Sequence, residues 1–132
     1  LKRGKLRSRW VFDSKDAKNP FSGQANHQLS IGDLDADGKD EICVGAMVID
    51  DDGSGLYTTG LRHGDALHIS DMDPDRPGLE VFGIHENEGR TLKLGTPGVA
   101  LFDAATGNIL FEKSFRLKIL FFVFITYQTV RV

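Results

Sequence analysis

Short apolar runs bounded by turn-forming residues recur along the chain, whereas the 3.6-residue spacing of an amphipathic helix is nearly absent. Eight runs rich in β-branched and aromatic residues each predict a strand. They cover residues 9–12, 29–31, 41–49, 56–59, 67–69, 79–84, 99–102 and 108–111. Residues 51–55 and 103–107 carry the composition of hairpin turns. Many short strands with almost no helix indicate an all-β sandwich, barrel or propeller.

An internal repeat narrows this choice. The segment LSIGDLDAD at residues 29–37 aligns with LHISDMDPD at residues 67–75, and the two copies continue as EICVG and EVFGI. The period of 38 residues is close to the roughly 40–50 residues of a four-stranded propeller blade. Such a unit needs neighbours to bury its faces, and two units with the start of a third cannot close a ring. The sequence therefore predicts a partial β-propeller of about two to three blades over residues 1–115.

Charge is segregated along the chain. Residues 11–112 hold all 19 acidic residues and only seven of the 16 basic ones. This balance excludes nucleic acid as a partner of the middle section and favours bound cations. The single cysteine, Cys43, excludes an intrachain disulfide and a cysteine-based metal site.

The last residues of the chain differ from the rest. Residues 116–132 lack the glycines and aspartates found throughout the preceding sequence. We therefore expect an atypical tail that arises from a frame change or read-through, with a genuine buried terminal strand as the alternative. The apolar run at residues 119–125 is far shorter than the about 20 residues that a membrane span needs.

The first acidic loop predicts a calcium site. It places three carboxylates at alternate positions, followed by a glycine that permits a sharp turn and by a later glutamate, as a hard cation requires. The predicted ligands are Asp33, Asp35, Asp37 and Glu41, with the backbone carbonyl of Lys39. An EF-hand would need a glutamate at the position of Val44 and helical flanks, and a plain polar turn is the remaining alternative. The second loop predicts a looser calcium site formed by Asp71, Asp73, Glu80 and the carbonyl of Arg76.

Histidines and acids lie at the opposite ends of the same predicted strands, because each acidic loop joins an inner strand to the next one outward. Imidazole and carboxylate groups can share a metal, bind sugar hydroxyls or take a proton. We expect three histidines to contact substrate. We also expect one of these histidines, together with an aspartate, to bind metal. These candidates are His27, His63 and His85 for substrate, and His63 and Asp65 for metal.

Several segments together resemble the rhamnogalacturonan lyases of polysaccharide lyase family 11. They are NHQLS, GDLDADGKDE, HGDALH, DMDP and RPGLEVF, within a resemblance that covers about residues 8–115. The resemblance implies an eight-bladed β-propeller with several calcium ions, secreted or at the cell surface and monomeric at full length. It also implies cleavage, by β-elimination, of the rhamnose–galacturonate backbone of the pectin polysaccharide rhamnogalacturonan I.

The sequence does not identify the general base. The resemblance implies a lysine or arginine, but Arg62 stands where the family has a small residue, and Arg90 lies in a loop that the sequence does not place. We therefore expect the chain alone to be inactive. A non-catalytic calcium-binding propeller module, as in integrin-type adhesion proteins, fits the acidic loops equally well but does not require the histidines. A freestanding calcium-binding fold would require the tail to complete its core.

Overall fold

The computed structural model describes residue 4, residues 6–86 and residues 97–113, and these residues form eight β-strands and no helix. The strands make two four-stranded antiparallel sheets, each a meander in which sequence neighbours pair. The first sheet contains β1 (Ser30–Gly32), β2 (Glu41–Val44), β3 (Met47–Ile49) and β4 (Gly55–Thr58). The second contains β5 (Gly64–Ser70), β6 (Glu80–His85), β7 (Val99–Asp103) and β8 (Ile109–Lys113). The all-β prediction is confirmed.

The internal repeat corresponds to the two sheets. One acidic loop joins β1 to β2 and the other joins β5 to β6, and the predicted hairpins join β3 to β4 and β7 to β8. Each acidic loop is closed by a strand pair that ends in a glutamate: Gly32 faces Glu41, and Ser70 faces Glu80. Equivalent glutamates therefore occupy equivalent places in the two sheets.

The core lies between the two sheets. Alternation along the strands places Cys43 and Val48 on one inner face, and Val81 and Phe102 on the other. All four side chains are fully buried, and burial of a large apolar side chain stabilises a fold by roughly 1.5–3 kcal/mol. Burial also raises the pKa of the Cys43 thiol to about 12, so this residue serves as a small buried hydrophobe.

Tyr57 connects the two sheets in addition to the apolar packing. The Tyr57 hydroxyl on β4 donates a hydrogen bond to the carbonyl of Ala104, which follows β7, at 2.7 Å. Gly107 has a φ of 74°, and a Cβ at this position would collide with the Tyr57 ring. The tight β7–β8 turn is therefore fitted to the tyrosine of the other sheet.

The predicted single run at residues 41–49 is wrong in one respect, because it divides into β2 and β3 around a tight turn. Gly45 has a φ of 69°, and a Cβ there would lie 2.8 Å from the backbone nitrogen of Asn26. Ala46 donates its N–H to the carbonyl of Gln24 at 2.8 Å. The turn thus forms against the incoming N-terminal segment, and glycine is required by this close approach.

The predicted strand at residues 9–12 does not form. Trp10 is instead held by its side chain, because the indole Nε1 donates to the carbonyl of Asp51 at 3.1 Å. Gly53 leaves room for the indole, since a Cβ on this glycine would lie 2.9 Å from the Trp10 Cβ. Phe12 packs edge-on against Phe21 with ring centroids 5.3 Å apart. Alternating aromatics here serve to pack a loop segment onto the first sheet.

The structure contains no helix that meets the length and hydropathy expected of a membrane span within the residues described. The predicted atypical tail at residues 116–132 and the position of Arg90 lie outside those residues.

Candidate functional site

The first acidic loop brings three carboxylates together. One oxygen each from Asp33, Asp35 and Asp37 lies within 4.8 Å of the other two, and all three residues are exposed. The loop is shaped by its own side chains, because the Gly38 N–H donates to Asp33 Oδ2 at 3.1 Å and the Asp37 N–H donates to Asp35 Oδ1 at 3.1 Å. Left-handed backbone at Ala36 and Gly38 completes the turn. The result is an oxygen-rich concavity of the kind a hard cation prefers.

Glu41, the first residue of β2, lies on the buried side of this loop. Its side chain is fully buried, and its Oε2 accepts a hydrogen bond from the Leu34 N–H at 2.7 Å. Its Oε1 finds no hydrogen-bond partner among the residues described. Burial is the main cause that raises the pKa of this carboxyl. The backbone N–H groups of Leu34 and Asp35 oppose that effect, and the charges of Asp35 and Asp37 add to it. Glu41 is not among the residues that gather a ligand atom within 4.8 Å of one another, so the predicted ligand set comes together only at Asp33, Asp35 and Asp37. A buried orphan oxygen is costly, and its position beneath the three aspartates favours a cation that would draw it into the set.

The side chain of Lys39 contacts two aspartates. Its Nζ lies 3.0 Å from Asp37 Oδ2 and 2.9 Å from Asp51 Oδ1 in the β3–β4 turn. The bonds to Asp51 and Asp37 raise the pKa of the ammonium, and the bond to Asp51 has the larger effect. The contact with Lys39 in turn lowers the pKa of Asp37. The acidic loop is thereby tied to a neighbouring turn of the same sheet.

The second acidic loop is built differently. Glu80 Oε2 accepts hydrogen bonds from the Met72 N–H at 2.8 Å and from the Asp73 N–H at 3.1 Å. Arg76 places its Nε 3.9 Å from Glu80 Oε1 and its terminal nitrogen 3.4 Å from Asp103 Oδ2. The carboxylates predicted to bind calcium here are those of Asp71, Asp73 and Glu80. Among the described residues they do not bring one oxygen each within 4.8 Å of the others. A guanidinium therefore already supplies the positive charge here, and the calcium prediction for this loop stays a prediction.

A second polar cluster lies at the other end of the inner strands. The Nε2 atoms of His27 and His63 are 3.4 Å apart, with ring centroids at 4.9 Å and ring planes at 85°. Glu86 Oε2 lies 3.8 Å from His63 Nε2, and Asp65 Oδ1 lies 4.0 Å from His27 Nε2. His27, His63 and Glu86 each place one ligand atom within 4.8 Å of the others. We call His27, His63, Asp65 and Glu86 the rim cluster.

Backbone pairing explains why the rim cluster converges. Asn26 forms a parallel bridge with Gly64, which places His27 beside the start of β5. The Glu86 N–H donates to the carbonyl of His63 at 3.0 Å, which brings the end of β6 to the same place. His63 Nδ1 bonds the carbonyl of Ala25 and must donate to it, because a carbonyl can only accept. In a neutral ring the lone pair of His63 then lies on Nε2, which faces His27 Nε2 at 3.4 Å, and a metal or a sugar hydroxyl would bind there in place of that contact.

His85 does not join the rim cluster. The residue is only 5% exposed, its Nδ1 lies 3.2 Å from the carbonyl of Arg62, and its Nε2 has no hydrogen-bond partner among the described residues. Burial lowers the pKa of this imidazole. A Cβ on Gly83 would lie 2.8 Å from His85 Nε2, so the ring covers β6 itself. Three of the four predicted rim residues thus come together, and the buried His85 lies apart.

The family comparison places the chain in a known class. The family model for rhamnogalacturonan lyase family 11, C-terminal domain, matches residues 1–119. The chain therefore belongs to rhamnogalacturonan lyase family 11, which confirms the resemblance seen in the sequence.

Two curated relatives come from Bacillus subtilis (strain 168). The chain is 52% identical over 111 residues to rhamnogalacturonan exolyase YesX, and 55% identical over 108 residues to rhamnogalacturonan endolyase YesW. These alignments cover 83% and 81% of the chain and 17% of each relative. The chain spans about one sixth of the length of these relatives.

Solved structures agree with this assignment. The crystal structure of YesW superposes with a TM-score of 0.75 at 53% identity, over 85% of this chain and 18% of that one. A Bacillus licheniformis rhamnogalacturonan lyase superposes with a TM-score of 0.74 at 50% identity, again over 85% and 18%.

Proposed function

We propose that the chain is part of a calcium-dependent rhamnogalacturonan lyase that cleaves the rhamnose–galacturonate backbone of rhamnogalacturonan I by β-elimination. Family membership carries this proposal. The relatives are described as an exolyase and an endolyase for rhamnogalacturonan, and either mode is compatible with this chain. Membership of this family favours a lyase over an adhesion module.

The proposal includes a propeller architecture in which the two sheets are two blades. Each sheet is a four-stranded antiparallel meander, the two sheets follow one another along the chain, and they share one apolar core. These are the features of consecutive propeller blades. Rim loops from further blades would then complete the substrate cleft, and a polymer of the plant cell wall would require the enzyme to act outside the cell.

Calcium is the cofactor that the first acidic loop fits best. Asp33, Asp35 and Asp37 offer converging carboxylate oxygens, and the orphan Oε1 of Glu41 supplies the independent indication that a cation belongs there. The backbone carbonyl of Lys39 would complete the predicted set. This loop lies at the opposite end of the strands from the rim cluster, so the ion held here would have a structural role.

β-Elimination on a uronate removes the proton from C5 and expels the oxygen at C4, with negative charge developing on the carboxylate. A divalent cation bound to that carboxylate stabilises this charge as a Lewis acid. In this chain the rim cluster is the group that can hold such a cation or bind sugar hydroxyls. Glu86 and Asp65 supply carboxylates beside His63 and His27, and the Ala25 carbonyl fixes the orientation of the His63 ring.

The general base would come from outside the described rim. The charged partners of His27 and His63 in the structure are the carboxylates of Asp65 and Glu86, and neither provides the lysine or arginine that the resemblance implies. Catalysis requires metal, base and sugar to be held together in one geometry. The chain by itself is therefore expected to be inactive.

Calorimetric titration of the full chain with calcium tests the cofactor assignment. Asp35→Ala should remove the heat that belongs to the first acidic loop, and Asp52→Ala, which removes an exposed aspartate of a different turn, should leave it unchanged. Absence of any heat with the unaltered chain would overturn the calcium site.

The activity proposal is tested by ultraviolet absorbance of the unsaturated uronate formed from rhamnogalacturonan I. The chain alone should give a flat trace, whereas a full-length YesW should give product that a chelator suppresses. Replacement of the YesW residues aligned with His27 and His63 should reduce that product formation. Chelator-sensitive turnover by the chain alone would contradict the proposed absence of a base.

A further inference from the structure

The ammonium of Lys39 occupies a position between two parts of the first sheet. It lies 3.0 Å from Asp37 Oδ2 in the acidic loop and 2.9 Å from Asp51 Oδ1 in the β3–β4 turn. The Lys39 side chain is 57% exposed and the Asp51 side chain only 18% exposed. The more sheltered of the two contacts is therefore the one with the turn.

The same turn holds the single tryptophan of the chain. The carbonyl of Asp51 accepts a hydrogen bond from Trp10 Nε1 at 3.1 Å, and the indole packs directly over Gly53. Asp51 thus contacts Lys39 through its side chain and Trp10 through its backbone. A continuous series of contacts runs from the acidic loop through Lys39 and Asp51 to the indole.

We propose that the Lys39 ammonium competes with calcium for the Asp37 carboxylate, and that calcium binding leaves Lys39 paired with Asp51 alone and so changes the surroundings of Trp10. This inference rests on the proposed calcium site in the first acidic loop. A dication beside Asp37 repels the ammonium and takes over its carboxylate partner. Asp51 lies outside the predicted ligand set and therefore stays available as the partner of Lys39.

The exposure of the Lys39–Asp37 ion pair determines how strongly Lys39 can weaken calcium binding. Exposed ion pairs contribute little because water and salt screen them, which corresponds to a roughly two- to fivefold effect on an equilibrium constant. Lys39→Met removes the competitor and the counter-charge but leaves the backbone carbonyl of residue 39 in place. We therefore expect calcium to bind this variant about two- to fivefold more tightly.

Calorimetry measures this change in affinity. Lys18→Met is the matched control, since it removes one exposed positive charge from a segment that contributes no ligand to the loop. Lys39→Arg keeps the charge and is expected to bind calcium nearly as the unaltered chain does. Unchanged or weaker binding by Lys39→Met, or equal tightening by Lys18→Met, would overturn the competition.

Fluorescence of Trp10 measures the second half of the proposal. In the unaltered chain the emission should change with the same midpoint as the calcium titration, and this change should be absent in Lys39→Met. A calcium-insensitive emission in a chain that binds calcium by calorimetry would overturn the coupling and leave the calcium site intact. No calcium heat in any variant would overturn the calcium site, and the proposed competition with it.

Discussion

Glu41→Gln offers the sharpest test of the buried carboxylate beneath the acidic loop. Glutamine keeps the size of the side chain and an oxygen for the Leu34 N–H, but it removes a charge that is fully buried and has one oxygen without a partner in the described structure. A buried unsatisfied polar group costs about 1–3 kcal/mol. The amide nitrogen of glutamine is also a buried polar group, so only part of this cost is removed. The calcium-free variant should therefore be more stable than the unaltered chain by about 1 kcal/mol.

Calcium should reverse this order. Ligand at about 100 times its dissociation constant adds about 2.7 kcal/mol to the free energy of unfolding. Glu41→Gln replaces an anionic ligand and should lose most of that gain. The variant is then more stable than the unaltered chain in chelator and less stable in calcium.

Urea unfolding in chelator and in calcium, followed by circular dichroism, measures both effects. Glu80→Gln is the matched control from the equivalent place in the second sheet, where one carboxylate oxygen accepts two backbone N–H bonds and the other faces Arg76. It should be destabilised by about 1–2 kcal/mol in both conditions. If Glu41→Gln is destabilised in chelator, or keeps the full calcium gain, the assignment of Oε1 to a cation is wrong.

Three further predictions concern the packing of the sheets and the buried histidine. Gly107→Ala should lower the free energy of unfolding by more than Gly60→Ala in thermal or urea unfolding, because both glycines have a φ near 75° but only a Cβ at Gly107 meets the Tyr57 ring. Tyr57→Phe should cost about 1–3 kcal/mol in the same measurement, because the carbonyl of Ala104 loses its hydrogen bond. Burial lowers the pKa of His85 below its usual 6.5, so the unfolded chain takes up the proton first and stability falls as the pH drops through about 6.5; His85→Gln should flatten this pH dependence. Equal losses for the two glycines, an unchanged Tyr57→Phe, or an unchanged pH profile would each contradict the corresponding argument.

Strand propensity and the repeat predicted most of the fold, because each sheet is a local meander whose turns carry their own signals. The error at residues 41–49 has a physical cause. The residues from β2 to β3 are continuously β-prone, and the turn at Gly45 depends on the distant backbone of Gln24 and Asn26. No local pattern encodes that contact. Trp10 likewise alternates with Phe12 as in a strand, but its partner is a turn 41 residues away.

The sequence predicts those parts of the candidate site that depend only on the spacing of residues along the chain. Alternating aspartates produce the carboxylate cluster, since a tight turn aligns every second side chain. The orphan oxygen of Glu41 and the guanidinium of Arg76 depend on side-chain orientation, which spacing does not determine. His85 is the clearest example, because its place at a strand end suggested an exposed rim, whereas its ring turns back over β6.

The guanidinium of Arg76 gives the second acidic turn a cation that is covalently part of the chain. Arg76 already faces the glutamate of that turn, whereas the cation beside the aspartates of the first turn, among the described residues, is the exposed ammonium of Lys39. With the proposed calcium ion in the first turn, a drop in free calcium would then act more strongly on the first sheet than on the second. Amide protons of the β1–β2 pair would gain more in exchange rate than those of the β5–β6 pair, and the repeated unit would respond to its ionic surroundings mainly at one end.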